Sequence, residues 1–115
     1  MATGAIHLYR ERLSAAEASF RRALELDKDR AEAHLRLAQV LRRQRRFAAA
    51  LQELSQVEST PQLSSPYFQR LLADAACEQG LIRLDQGDAA GAKAWFGRAL
   101  EIDPAHQEAQ SRLRP

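Results

Sequence analysis

Ile6, Tyr9 and Leu13 recur at helical spacing and predict a first helix over about 3–12. A turn is predicted before Ser14, whose hydroxyl can cap a second helix with Glu17 three residues on, running to about Leu26. Residues 27–30 form a polar corner, where Asp29 and Glu32 offer a second capping pair. Leu35, Leu37, Leu41 and the small Ala38 give the next helix its buried side, which ends near Arg46. The turn RRQRRF contains no glycine, so ordinary residues must make it, with Phe47 as the anchor of a helix to about Glu58.

Residues 59–65, STPQLSS, break the pattern with polar residues and Pro61. Seven residues are an ordinary helix connection, so this reads as a linker loop and not a domain boundary. Ser65 followed by Pro66 is a start signal, because serine suits a cap and proline the first helical turn. The helix predicted over 66–86 is longer than its counterparts by about two turns. Gly87 and Asp88 supply a turn and a cap, a further helix runs to about Ile102, and Pro104 stops it. Ala109 and Leu113 place the start of a polar capping helix in the tail, 107–114.

The chain also echoes itself. Residues 22–27 read RALELD and residues 98–103 read RALEID, five of six positions repeated at a separation of 76. Residues 31–57 form the one complete copy of a unit between them, and splitting 76 into 34 and 42 brings that copy into register. Small residues then align as Gly4, Ala38 and Gly80, as Ala16, Ala50 and Ala92, and as Ala23, Val57 and Ala99. Large apolar residues align as Phe20, Leu54 and Phe96. A 34-residue unit of two helices, small where the helices must approach, resembles the tetratricopeptide repeat family.

That resemblance implies an all-α, right-handed superhelix of about three helix-turn-helix repeats plus a short C-terminal capping helix, seven helices in one domain over 1–115. The repeats fall at about 1–28, 29–60 and 66–104, with the cap at 105–115. Gly80, Gly87, Ala92, Phe96, Ala99 and Pro104 make the third copy the best match. His34 stands where the family usually has Trp, Arg45 where an inter-helix Gly is usual, and Arg83 at a Tyr position. The first copy lacks about the first quarter of its leading helix.

At 115 residues the chain has room for a core, and 45% hydrophobic with 28% charged residues sets it apart from disordered chains. Only 6% is aromatic, so alanine must do much of the packing, as close helix stacking requires. The formal charge is +2, and Lys28 and Lys93 are the only lysines. Arginine therefore carries the positive charge, and it pairs with carboxylate or phosphate in a planar, bidentate way that lysine does not. Cys77 is the single cysteine, which excludes an internal disulfide. The N-terminal residues lack the apolar stretch of a signal peptide and no apolar run is long enough to span a bilayer, so a cytoplasmic setting with no membrane is expected.

No phosphate loop, zinc helix or Ser-His-Asp order occurs at mechanistic spacing, so no catalytic residue, metal site or cofactor is expected and the chain reads as no enzyme. His7 and His34 fall at aromatic packing positions of the repeat, and His106 in a corner. Cys77 is either a small apolar filler or a groove thiol, and Trp95 a partly exposed contact on the convex side, since Ser19 and Glu53 match it elsewhere.

Repeats of this family typically hold peptides on the concave surface of their first helices. By resemblance that surface includes Leu8, then Leu35, Arg36, Gln39, Arg42 and Arg43, then Cys77, Leu81, Leu84 and Asp85, with Asp74 and Glu78 nearby. The function expected is a non-catalytic protein-protein interaction module, a scaffold or adaptor that holds another protein or peptide, one with acidic residues to meet Arg36, Arg42 or Arg43. Clamp-type members hold acidic C-terminal tails of chaperones with a Lys and two Asn in their first two repeats, then Lys and Arg in the third. Here those positions are Met1, Ala5, Arg36, Asp74 and Glu78, so such tails are not expected partners. A structural self-assembly piece is one alternative, and a nucleic-acid-binding module using the basic cluster at 42–46 is a weaker one. Ile6, Leu8 and Tyr9 lie on a first helix with no polar cap before it, so weak homo-oligomer formation through the N-terminal edge is also expected.

Overall fold

The computed structural model describes residues 2–28, 30–59 and 66–113, with side chains described from residue 9 onward. Six helices account for nearly all of them, and none of the described residues is in a strand: α1 (Ala2–Leu26), α2 (Ala31–Arg43), α3 (Phe47–Ser59), α4 (Pro66–Asp85), α5 (Ala89–Ile102) and α6 (Gln107–Leu113). The fold is the all-α helical repeat expected. Consecutive helices pack on one another, except that α4 packs on both α2 and α3 across the connection between the second and third copies. The extents of 41 × 39 × 22 Å fit a slab two helices thick, given about 10 Å per helix.

The packing rests on the aligned small and large residues. Gly80 on α4 faces Phe96 on α5 so closely that a Cβ at Gly80 would lie 2.5 Å from the ring. Phe96 is only 2% exposed and has no room to retreat. In the second copy the same positions are Ala38 and Leu54, both fully buried in one cluster with Leu35, Leu37, Leu41, Phe68 and Ile82. The copy with the smaller residue carries the larger partner, so the sum of the pair suits one interhelical distance. Each buried Leu or Phe side chain contributes about 1.5 to 3 kcal/mol.

Both turns within the helix pairs close in the same way. After α2, the N–H of Arg46 donates to the carbonyl of Leu41 and that of Arg45 to Arg42; after α4, Asp88 donates to Arg83 and Gly87 to Leu84. This double bond pattern requires left-handed backbone at its central residue. Gly87 adopts it at φ 84, and Arg45 adopts it at φ 61 despite its side chain. The Arg45 guanidinium stacks 5.1 Å over the Phe47 ring, which offsets part of that strain and bears out Phe47 as the turn's anchor.

Two expectations fail at the N-terminal side. The predicted turn before Ser14 does not form: α1 is one continuous helix of 25 residues, so the described chain has six helices and not seven. Residues 5–26 contain neither glycine nor proline, and nothing there stops helix propagation. Glu17, expected to cap a helix, instead receives Arg46 at 3.0 Å and Gln44 at 3.3 Å, joining α1 to the end of α2. Burial pushes the Glu17 carboxyl up, but hydrogen bonds from Arg21, Arg46 and Gln44 outweigh it and hold the group below the usual carboxylate value. The cap residue of α2 is Arg30, which makes no side-chain cap bond; Asp29, expected there, lies outside the described residues, as do 60–65 of the linker and Arg114 of the cap helix. Asp88 does cap α5, its side chain accepting from the N–H of Gly91.

Gly80→Ala should lower stability by about 1 to 2 kcal/mol, since overpacking against Phe96 exceeds the ordinary helix gain of alanine over glycine. Gly97→Ala, with no atom within 4 Å of its added Cβ, should raise stability by about 0.5 to 1 kcal/mol. Arg45→Gly should also raise it, by about 0.5 to 1 kcal/mol, the relieved left-handed strain less the lost ring stacking. Urea unfolding of the three variants beside the parent chain checks both signs.

Candidate partner-binding groove

Asp74, Cys77, Glu78 and Leu81 follow the i, i+3, i+4, i+7 rule and so form one stripe along α4. Arg36 and Gln39 form a facing stripe on α2. Between them, lined also by His106 and Glu108, lies a groove of about 240 Å³.

Its walls are fixed by polar bonds between elements. Arg42 Nε donates to Glu78 Oε2 at 2.7 Å, tying α2 to α4, and Arg42 Nη1 stands 3.6 Å from Asp85. His106 precedes α6, where its Nδ1 accepts the N–H of Ala109 at 3.2 Å. With Nδ1 accepting, the ring proton sits on Nε2 and is donated to Asp74 on α4 at 2.7 Å. Tyr67 on α4 donates its hydroxyl to Glu32 on α2. Among the described residues no buried side-chain nitrogen or oxygen lacks a partner.

Arg36 is the groove's available cation. It is half-exposed, donates to Gln39 at 3.2 Å and stands 3.9 Å from Glu32. The other arginines expected in the groove are placed differently. Arg42 does not line it and is paired with Glu78 and Asp85. Arg43 lines another cavity of about 530 Å³ with Tyr9, Leu13 and Gln44. Leu35 is fully buried and belongs to the core, on the side of α2 turned to its neighbours. Cys77 and Leu81 do line the groove, Leu84 is exposed beyond it, and the side chain of Leu8 lies outside the described residues.

Cys77 is 3% exposed, and burial, reinforced by the nearby carboxylates of Glu108, Glu78 and Asp74, pushes its thiol up to about 12. It acts as a small apolar filler, not as a reactive thiol. Trp95 is half-buried beside the cluster of Cys77, Phe96 and Ala109, with the Arg98 guanidinium 5.7 Å from its ring. His34 is buried as expected, but as a polar bridge: Nε2 donates to the carbonyl of Lys28 and one proton lies between Nδ1 and Glu53, each contact 2.7 Å. That bond joins α2 to α3 where the third copy has Ala76 and Trp95. The basic run also disperses, with Arg42 and Arg46 paired to carboxylates and Arg45 stacked on Phe47.

Sequence reasoning missed His106 and Glu108 as walls of the groove. The signal for His106 was its match to Arg30 at the separation of 76, the residue before the next helix in each case. Among the described residues no three of His, Cys, Asp or Glu are grouped to hold a metal ion, and no helix is long and apolar enough to cross a membrane.

The chain matches tetratricopeptide repeat models over residues 7–75 and again over 73–106. It belongs to the tetratricopeptide repeat family, whose members are generally protein-protein interaction modules and generally non-catalytic. No curated protein matches it.

A folded chain with Cys77 in this setting should resist a thiol-directed maleimide at neutral pH and react fully once unfolded in urea. Rapid labelling of the native chain, followed by mass, would show that the groove opens far more than the packing around Cys77 allows.

Proposed function

We propose that this chain is a scaffold or adaptor module that holds a segment of another protein in the groove between α2, α4 and the start of α6. The observation that carries this reading is the groove itself, with walls tied by polar bonds, a half-exposed arginine only loosely paired with Glu32, and Cys77 and Leu81 among its lining residues. Walls already tied by Arg42–Glu78 and His106–Asp74 need little ordering when a ligand arrives, and preorganisation of that kind is where such modules gain affinity. The fitting segment places a carboxylate on Arg36 and a short apolar side chain on Leu81. A polyacidic tail fits poorly, because Asp74, Glu78 and Glu108 face it from the other wall.

Nucleic acid is the weaker reading, since two of the four arginines at 42–46 are held by Glu78 and Glu17.

Peptides selected from a random display library on the parent chain supply the probe. Arg36→Ala should weaken the selected peptides by about 1.5 to 3 kcal/mol where a charge-assisted bond is desolvated, and Leu81→Glu should abolish binding. Arg43→Ala, a change outside the groove, should leave their affinity within about twofold. Peptides that bind the Arg36 and Leu81 variants as well as the parent would place the interaction elsewhere.

A further inference from the structure

The fold sorts the arginines of the run at 42–46 into two pairs. Arg42 and Arg46 are engaged by carboxylates, Arg42 by Glu78 and Asp85 and Arg46 by Glu17. Arg43 and Arg45 line a cavity of about 530 Å³ between α1 and the end of α2, and Arg10 of α1 joins them there. Among the described residues, none of Arg10, Arg43 and Arg45 has a carboxylate at ion-pair distance. No acidic residue lines the cavity.

The walls are held in place. Glu17 on α1 receives Gln44 at 3.3 Å and Arg46 at 3.0 Å, which pins α1 to the turn after α2. Leu13 is only 7% exposed, and Tyr9, one turn earlier on the same stripe of α1, is half-exposed, so an apolar surface stands beside the three arginines. Bare carbonyls at a helix C-terminus would repel an anion. Here the N–H groups of Gln44, Arg45 and Arg46 close on the carbonyls of Val40, Arg42 and Leu41.

Arg45 adds an independent sign. It holds left-handed backbone at φ 61 where the third copy has Gly87, so local stability alone favours glycine there. Strain of this kind collects at sites that act on a ligand. The Phe47 ring, with the guanidinium 5.1 Å from its centre, orients the strained side chain.

We propose that this cavity binds a phosphorylated side chain on a segment of a partner protein, with the neighbouring residue of that segment against Tyr9 and Leu13. A phosphoryl group bears a charge of roughly −1.5 to −2 at pH 7 and three acceptor oxygens, so it answers three guanidinium forks together. A single carboxylate pairs with one fork and leaves two like charges in the same cavity. A nucleic-acid strand presents phosphates in series, and with Arg42 and Arg46 engaged the run at 42–46 offers it no continuous track. The cavity shares no lining residue with the groove of α2, α4 and α6, and the assignment stands whether or not that groove binds a peptide.

Phosphopeptides selected from a degenerate library on the 115-residue chain, each titrated beside its unphosphorylated form by fluorescence anisotropy, supply the test. Loss of the phosphate should weaken them by about tenfold or more, and Arg10→Ala or Arg43→Ala should each weaken them by about tenfold. Arg45→Gly separates the two roles of that residue: the chain should unfold at higher urea while its phosphopeptide affinity falls by about tenfold. A purely structural Arg45 would not divide those readouts. Arg36→Ala, in the other groove, should leave the affinity within about twofold. The assignment is overturned by a library that yields no binder, by peptides that bind equally well without phosphate, or by affinities unchanged in the Arg10, Arg43 and Arg45 variants. Inorganic phosphate alone, or a single-stranded oligonucleotide, that matches the phosphopeptides in affinity overturns it as well.

Discussion

The structure depends on how closely the two helices of a pair can approach. Where Gly80 admits the Phe96 ring and Ala38 admits Leu54, the contact sets the interhelical distance, and the turn and the next helix follow from it. A small residue opposite a large one lets dispersion contacts form along the whole seam, and neither partner can change size alone without a void or a clash. With few aromatic residues in the chain, this economy of volume explains why a slab two helices thick can still bury Leu, Phe and Ile side chains fully.

Polar bonds divide the remaining work. Arg42–Glu78 and His34–Glu53 each join two different helices, and His106–Asp74 joins the start of α6 to α4, each through a contact of 2.7 Å. Buried groups of this kind add little net stability, but any other alignment of the helices would leave them unpaired, so they hold the alignment. They also determine what the groove can offer. Each pairing that stiffens a wall removes a charge from use, which leaves Arg36 as the half-exposed arginine of the groove.

The turns show local preference and packing in competition. Arg45 accepts left-handed backbone because closing α2 on α3 buries Leu54 and Val57, whose burial outweighs the strain. In the first copy the same geometry falls on Glu11, in a stretch free of glycine and proline, and helix propagation wins. One unit thus takes two forms in a single chain, hairpin and continuous rod, according to whether packing is strong enough to bend it.

The periodicity of Leu35, Leu37 and Leu41, the echo of RALELD in RALEID, and Gly87 with Asp88 determined the helix pairs, the family and most boundaries, because these signals are local or repeat at a fixed separation. Of the residues that the resemblance assigned to the concave surface, Arg36, Gln39, Cys77 and Leu81 line one cavity. Only the tertiary structure decided that Leu35 turns into the core, that Arg42 is consumed by Glu78, that His106 both caps α6 and holds Asp74, and that α1 does not bend. The Arg42–Glu78 and His106–Asp74 pairs join residues 36 and 32 apart, and the burial of Leu35 and the straightness of α1 turn on packing against other helices, which the residues beside them do not encode.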